Sequence, residues 1–127
     1  MIRFFTLIAI VPLAVFALTA ISSAEGGDAA KGKDVYGTYC VACHGPQGKG
    51  DGVAAAALEP KPRDLSNAEY VSTVDNAHLY KVISEGGAAV GLSPLMAGWG
   101  GSLSEQDIND VIAYIRKDVC KCEYKTE

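Results

Sequence analysis

Histidine and methionine are scarce in this 127-residue chain, at two of each, so any site built on them has very few candidates. Basic residues are also few: 11 Lys and Arg stand against 15 Asp and Glu, for a net charge of −4. They form no stripe and no basic helix, which argues against a nucleic-acid partner. Strand patterning is missing as well, since apolar–polar alternation holds over no convincing stretch, and that leaves an all-α reading. No internal repeat and no low-complexity tract appears, and the length allows one domain at most.

The one long apolar run lies at the start. Met1-Ile2-Arg3 is a short positive opening, Phe4 to Ala20 is apolar or small, and Ser22-Ser23-Ala24 precedes Glu25. This is the three-part layout of a secretory signal peptide. It predicts that residues 1–24 are cleaved and that a domain over 25–127 is exported, to a periplasm or otherwise out of the cytoplasm. The alternative is an uncleaved anchor, since an apolar run of about 18 residues can just span a bilayer. Small residues follow the run where an anchor usually carries charge, so cleavage is the expectation. A domain of about one hundred residues has a thin core and commonly needs a staple, a metal or a cofactor.

Four stretches have helical character. Asp28 stands as an N-cap before a helix predicted to run to about Val41, with Ala29, Gly32, Tyr36 and Tyr39 at helical spacing. Gly32 costs such a helix roughly 1 kcal/mol against alanine, which points to a second helix packed closely there. Val53 to Leu58 can make a turn or two. Pro60 and Pro62 then keep 59–65 extended. Asp75 to Glu85 is the third helix, with Leu79, Val82 and Ile83 as its buried stripe and Gly86-Gly87 as its stop. The last helix opens on a capping box, Ser104 with Asp107, and buries Ile108, Val111, Ile112 and Ile115.

The chemistry is concentrated in "CVACHGPQGKGDG", residues 40–52. A structural zinc site needs four ligands, and neither usual spacing for a second pair is present beside Cys40 and Cys43. A thioredoxin-type pair would follow a strand, whereas this one ends a helix. The haem reading uses every residue of C-x-x-C-H. Two thiols add across the haem vinyl groups, and the next histidine is placed below the iron. Cys40 and Cys43 are therefore the expected covalent attachment and His44 the expected axial ligand.

A sixth ligand should complete the iron. A Met/His pair raises the reduction potential and suits electron transfer. Met1 leaves with the leader, so Met96 is the candidate, in an apolar loop that otherwise has nothing to cover. The alternative for Met96 is gap-filling core. The rival ligand is His78, which lies about 90° from the centre of its helix's apolar stripe at 100° per residue. That flank position predicts a solvated ring.

With these residues in hand, the chain resembles the class I, single-haem c-type cytochromes of the small bacterial kind. The resemblance runs from about Asp28 to Arg116. It rests on "CVACHGPQGKGDG", "LEPKPRDL", "LYKVISEGG" and "SPLMAGWGGSLSEQDINDVIAYIR". It implies an all-α class I cytochrome c fold, three to four helices around one covalently bound haem c, with the first and last helices crossing. Gly32 and Tyr36 against Ala113 and Tyr114 are the expected crossing contacts. It further implies that a proline carbonyl accepts a hydrogen bond from the axial histidine, with Pro60 the best match and Pro62 next. Trp99 would lie against the haem with its N–H toward a propionate, or else pack in the core. Arg63 would pair with a propionate or be solvated. Segments 53–57 and 87–91 are the expected rim of the exposed haem edge. Cys120-Lys121-Cys122 departs from the family pattern and allows a local disulfide, free thiols or an intermolecular link.

The implied function is electron transfer between transient redox partners, a donor and an acceptor protein, with no substrate chemistry and no membrane span after cleavage. The alternative is a haem-bearing subunit of a larger oxidoreductase. Only one haem motif is present and no distal acid–base pair is evident, which disfavours a peroxidase.

Overall fold

The computed structural model describes residues 26–125, so the predicted leader over 1–24 lies outside the described residues. Five α-helices follow in order: α1 (Ala29–Tyr39), α2 (Val41–His44), α3 (Ala68–Val71), α4 (Asn76–Glu85) and α5 (Glu105–Tyr114). Short 3₁₀ turns lie at Ala55–Ala57 and Gly87–Val90, and a π turn at Ile115–Val119 carries the chain beyond α5. No strand occurs among the described residues.

The helices begin where side chains can cap them. Asp28 accepts from the N–H groups of Ala30 and Lys31, Asp75 accepts from that of His78, and Ser104 closes a reciprocal capping box with Asp107. The first helix is shorter than the periodicity predicts, breaking at Cys40 and resuming as α2. The four-residue α3 is an addition to the sequence reading, started by Asn67, whose side chain accepts from Tyr70 N–H.

The first and last helices make the main packing contact. A Cβ on Gly32 would stand 1.9 Å from the Asp110 carbonyl oxygen, so only glycine lets α1 lie directly on the α5 backbone. Tyr36 meets Tyr114 with ring centroids 5.3 Å apart, as expected. The other contact falls on Asp110 and Val111 rather than Ala113, because the glycine abuts main chain. Asp110 is only 2 % exposed. Its carboxylate accepts from Asp28 N–H at 2.6 Å and from the Gln106 amide at 2.7 Å, so the buried oxygens are satisfied.

Tyr36, Val71, Leu79, Ile83, Leu103, Ile108, Val111, Ile112 and Ile115 form the shared core. Each such aliphatic contributes roughly 1.5–3 kcal/mol when fully buried. Arg116 ties three elements together beneath this core. Its guanidinium donates to the carbonyls of Val71 and Val74 and to Asn76 Oδ1, fixing the end of α3 and the start of α4 against the turn after α5. Cys120 and Cys122 are joined to each other, which selects the local disulfide from the three options. Cys122 N–H and Lys125 N–H then bond the carbonyls of Arg116 and Ser72 and hold the tail down. No helix among the described residues is long and apolar enough to cross a membrane.

Candidate functional site

The apolar faces that do not meet each other enclose a cavity of about 670 Å³. One wall carries Cys40, Cys43 and His44 from the α1–α2 corner. The opposite side carries Leu79, Val82 and Ile83 from α4, together with Leu92, Leu95 and Met96. Ile115 lines it from the π turn, and Leu58, Pro60, Pro62, Arg63, Leu65 and Tyr70 from the intervening segments. A core of this size that leaves such a volume among leucine, isoleucine and valine side chains is shaped for a large apolar group.

The His44 wall is built by backbone. Glycines 45, 48 and 50 all take positive φ, 75–78°, and wind the chain tightly after the helix. Gly50 N–H returns to the His44 carbonyl, and Leu65 N–H bonds the Gly48 carbonyl, so the segment through 62–65 is drawn alongside. A Cβ on Gly50 would lie 2.3 Å from the Pro62 carbonyl oxygen, which shows how close the two strands of chain run. Arg63 thereby presents its carbonyl to His44 Nδ1 at 2.9 Å.

That contact corrects the expectation for Pro60 and Pro62. Both prolines line the cavity, but the acceptor is the next carbonyl along. The physical consequence is the same. A carbonyl accepts only from a protonated Nδ1, so the ring is held in the tautomer whose Nε2 lone pair is available toward the cavity. Burial pushes the His44 pKa below its ordinary value, against the opposing pull of the Arg63 carbonyl. The ring is therefore neutral and able to bind a metal at neutral pH. Burial, with the neighbouring Cys43 second, pushes the Cys40 thiol up to about 11. Cys40 and Cys43 are free and half-buried at the cavity edge.

The Met96 side is built differently. Gly87 N–H donates to the Met96 carbonyl at 2.9 Å, and Trp99 and Gly100 N–H groups return to the Ile83 and Ser84 carbonyls. The loop is thus stitched edgewise to the end of α4, with Met96 half-buried on the cavity. A Cβ on Gly87 would stand 2.2 Å from the Ser93 carbonyl oxygen and 3.2 Å from Met96 Cβ, so the approach requires glycine.

Of three further side chains, Trp99 packs against the core and Arg63 is exposed, each taking the second of its two expected places, while His78 departs from its own. Trp99 does not line the cavity: its indole packs edge-on against Tyr39, with centroids 5.3 Å apart, on the flank of the core. Arg63 lays its guanidinium over the Tyr70 ring, 4.4 Å from the centroid, at the cavity rim. His78 is half-buried in the cavity wall rather than solvated. It shares a face with Val82 one turn on, and that i, i+4 pairing was the available signal. Of the expected rim, Gly87 lies at the cavity, whereas 53–57 and 88–91 do not line it; the exposed Leu92 and Leu95, just beyond that rim, do.

The residues present fit one group. Two thiols, an imidazole of fixed tautomer and a thioether converge on a single apolar cavity. Cys120 and Cys122, being bonded to each other, are not ligands there.

Comparison with known proteins agrees. The family profile Cytochrome_CBB3, described as "Cytochrome C oxidase, cbb3-type, subunit III", matches residues 27–115. Cytochrome c-554(547) of Halothiobacillus neapolitanus is 36% identical over 95 residues, covering 70% of this chain and 94% of that protein. The cbb3-type cytochrome c oxidase subunit FixP of Bradyrhizobium diazoefficiens is 33% identical over 101 residues. That match covers 80% of this chain but only 31% of FixP, so the chain spans about a third of that relative. The solved c-type cytochrome KustC0563 shares the fold, with a TM-score of 0.55 and 20% identity over 67% of this chain and 93% of that one. The chain therefore belongs to this c-type cytochrome family, with the class I all-α fold, a covalently bound haem c and an electron-transfer role.

Proposed function

We propose that this protein is an exported single-electron carrier, with Cys40 and Cys43 as the thioether attachment and His44 and Met96 as the axial ligands. The observation that carries the reading is the placement of all four on one apolar cavity, with His44 Nδ1 already committed to the Arg63 carbonyl. Haem c supplies a one-electron Fe(III)/Fe(II) couple when bound. The chain's own residues do the rest. Each thiol S–H adds across one vinyl C=C, so hydrogen and sulfur both end on the haem side chain and nothing leaves. His44 offers Nε2 from a rigid backbone frame, and Met96 offers a soft neutral sulfur that favours the reduced metal. Leu79, Val82, Ile83 and Ile115 exclude water, which keeps reorganisation on electron exchange small. Leu92 and Leu95, 36 % and 52 % exposed, surround the mouth where a redox partner would dock transiently. The chain performs no substrate chemistry in this reading.

A second reading, a haem-bearing subunit of a larger oxidoreductase, is favoured by one observation: the family match and the FixP relative both carry oxidase-subunit names. Expression with the leader in a host that matures c-type haem tests both. Haem should remain with the chain after denaturation, one iron per chain should be found, and the visible spectrum should change reversibly on one-electron reduction. A chain without covalent haem overturns the proposal. A monomer of the purified protein from its native source supports the carrier, and stable copurification with a catalytic chain supports the subunit.

A further inference from the structure

The chain carries two cysteine pairs, and the haem reading uses one of them. Cys120 and Cys122 are bonded to each other at a sequence separation of 2. A bridge this short closes almost no chain, so it constrains the unfolded state far less than one between distant elements. What it holds is local. Lys121 has a φ of 53°, and among the described residues no other side-chain-bearing residue has positive φ. A Cβ there crowds the following carbonyl, a cost that glycine avoids.

The two sulfurs are not equivalent. Cys120 is 5 % exposed, inside the core cluster, whereas Cys122 is half-buried and packs against that cluster from outside. The residues beside Cys122, Lys121 and Glu123, are exposed. The Arg116 and Cys122 carbonyl oxygens each stand 3.6 Å from Cys120 Sγ. A disulfide sulfur has no hydrogen to give them, but a thiol in the same place would. The core therefore accepts the reduced Cys120 without leaving its S–H unpaired.

Independently of the haem reading, we propose that Cys120–Cys122 is a thiol–disulfide exchange site for a dithiol, entered at Cys122. A thiolate of the dithiol attacks the Cys122 sulfur, the S–S bond breaks, and the Cys120 sulfur leaves and takes a proton. The second thiol of the reductant, as thiolate, then attacks the reductant's own sulfur in the mixed disulfide and releases Cys122, which is protonated in turn. The pair gains two electrons and two protons, and the dithiol becomes a disulfide. Once the bridge is open, Lys121 can leave the left-handed region. The tail is then held only by Cys122 N–H on the Arg116 carbonyl and Lys125 N–H on the Ser72 carbonyl. Exchange thereby loosens residues 121–125 from the end of α3 and from the turn after α5.

The test treats the folded, haem-loaded protein with dithiothreitol and, separately, with reduced thioredoxin, and maps alkylated cysteines by mass spectrometry. Dithiothreitol should expose both Cys120 and Cys122 to alkylation while the helical circular dichroism is kept. Reduction by thioredoxin as well makes a protein dithiol the source, and reduction by dithiothreitol alone makes it a small one. A bridge that opens only when the chain unfolds overturns the proposal. Amide hydrogen exchange at Cys122 and Lys125 should quicken on reduction, and unchanged rates overturn the loosening of the tail. Single variants challenged with oxidised glutathione read the point of entry. Cys120→Ser, which keeps Cys122, should take up one glutathione, and Cys122→Ser should do so far more slowly; equal rates overturn entry at Cys122. Failure of the haem reading would show separately, as alkylation of Cys40 and Cys43.

Discussion

The two sides of the cavity hold their ligand candidates by different means. His44 ends a helix, its carbonyl is bonded by Gly50, its ring by Arg63, and it is 9 % exposed. Met96 sits in a loop whose hold on the rest of the chain is main-chain bonds to α4 and its end, flanked by exposed Leu95. One side is over-determined and the other is adjustable. An electron carrier gains from both. The fixed imidazole sets a constant electronic environment, while the loop brings a soft thioether to the cavity through main-chain bonds to the end of α4.

The comparison breaks most severely if the attachment is removed. Cys40→Ala or Cys43→Ala, made in an exporting host, should give mostly apoprotein with poor thermal cooperativity by circular dichroism. The reason is volume: left unfilled, a cavity of about 670 Å³ deprives its leucine, isoleucine and valine lining of the close packing that holds a core together. Recovery of a stable, cooperatively folding apo-domain would count heavily against the reading.

Next come two substitutions whose effects on the potential should have opposite signs. Met96→Ala removes the soft neutral donor, so the potential should fall, and carbon monoxide should bind the reduced protein while leaving the parent unchanged. Covalent haem should persist, because Cys40 and Cys43 are untouched. Gly50→Ala acts on the other side. Its φ of 75° disfavours alanine, and the new Cβ would meet the Pro62 carbonyl oxygen at 2.3 Å. Displacing 62–63 weakens the Arg63 acceptor, His44 donates less charge to the metal, and the potential should rise. Carbon monoxide should still be excluded. Shifts of the same sign in both variants would sink the two-sided account.

How far the sequence disclosed these features depends on what carries them. Elements with a side-chain signature were legible: the Ser104–Asp107 box starts α5, Asp75 starts α4, and Gly32 marks the crossing. The C-x-x-C-H spacing marks the wall of the cavity that carries Cys40, Cys43 and His44. The acceptor for His44 was not legible, because it is a main-chain carbonyl, and every residue has one. Which carbonyl arrives is set by the path of 45–65, which depends on three left-handed glycines acting together. Trp99 left two places open for a related reason. Its position three after Met96 suggested the same neighbour, but Trp99 N–H bonds the Ile83 carbonyl, which puts the indole on the Tyr39 flank. His78 was read from the centre of an apolar stripe, whereas a cavity wide enough for a cofactor takes in the flank as well. Arg116 gave no sign of its role, since a guanidinium that satisfies two distant carbonyls looks like any other arginine in a sequence.

The smallest effect should come from the point where the Met96 loop rejoins the rigid frame. Ser104 caps α5, and its hydroxyl and N–H hold the Asp107 carboxyl below its ordinary value. A carboxyl depressed in the folded state adds stability above its unfolded pKa of about 3.9, and that contribution is lost as the pH falls through the folded value. Ser104→Ala removes the side-chain cap and the hydroxyl that is the larger cause of the depression, leaving the main-chain N–H in place. The variant should therefore melt a few degrees below the parent at neutral pH, with the gap narrowing below about pH 4 as Asp107 protonates. Its potential should be unchanged, because the bonds from Gly87, Trp99 and Gly100 hold the loop independently of the cap. A shifted potential would mean that the loop's position is set from α5 as well as from α4, and the adjustable side would then be as rigidly framed as the side that carries His44.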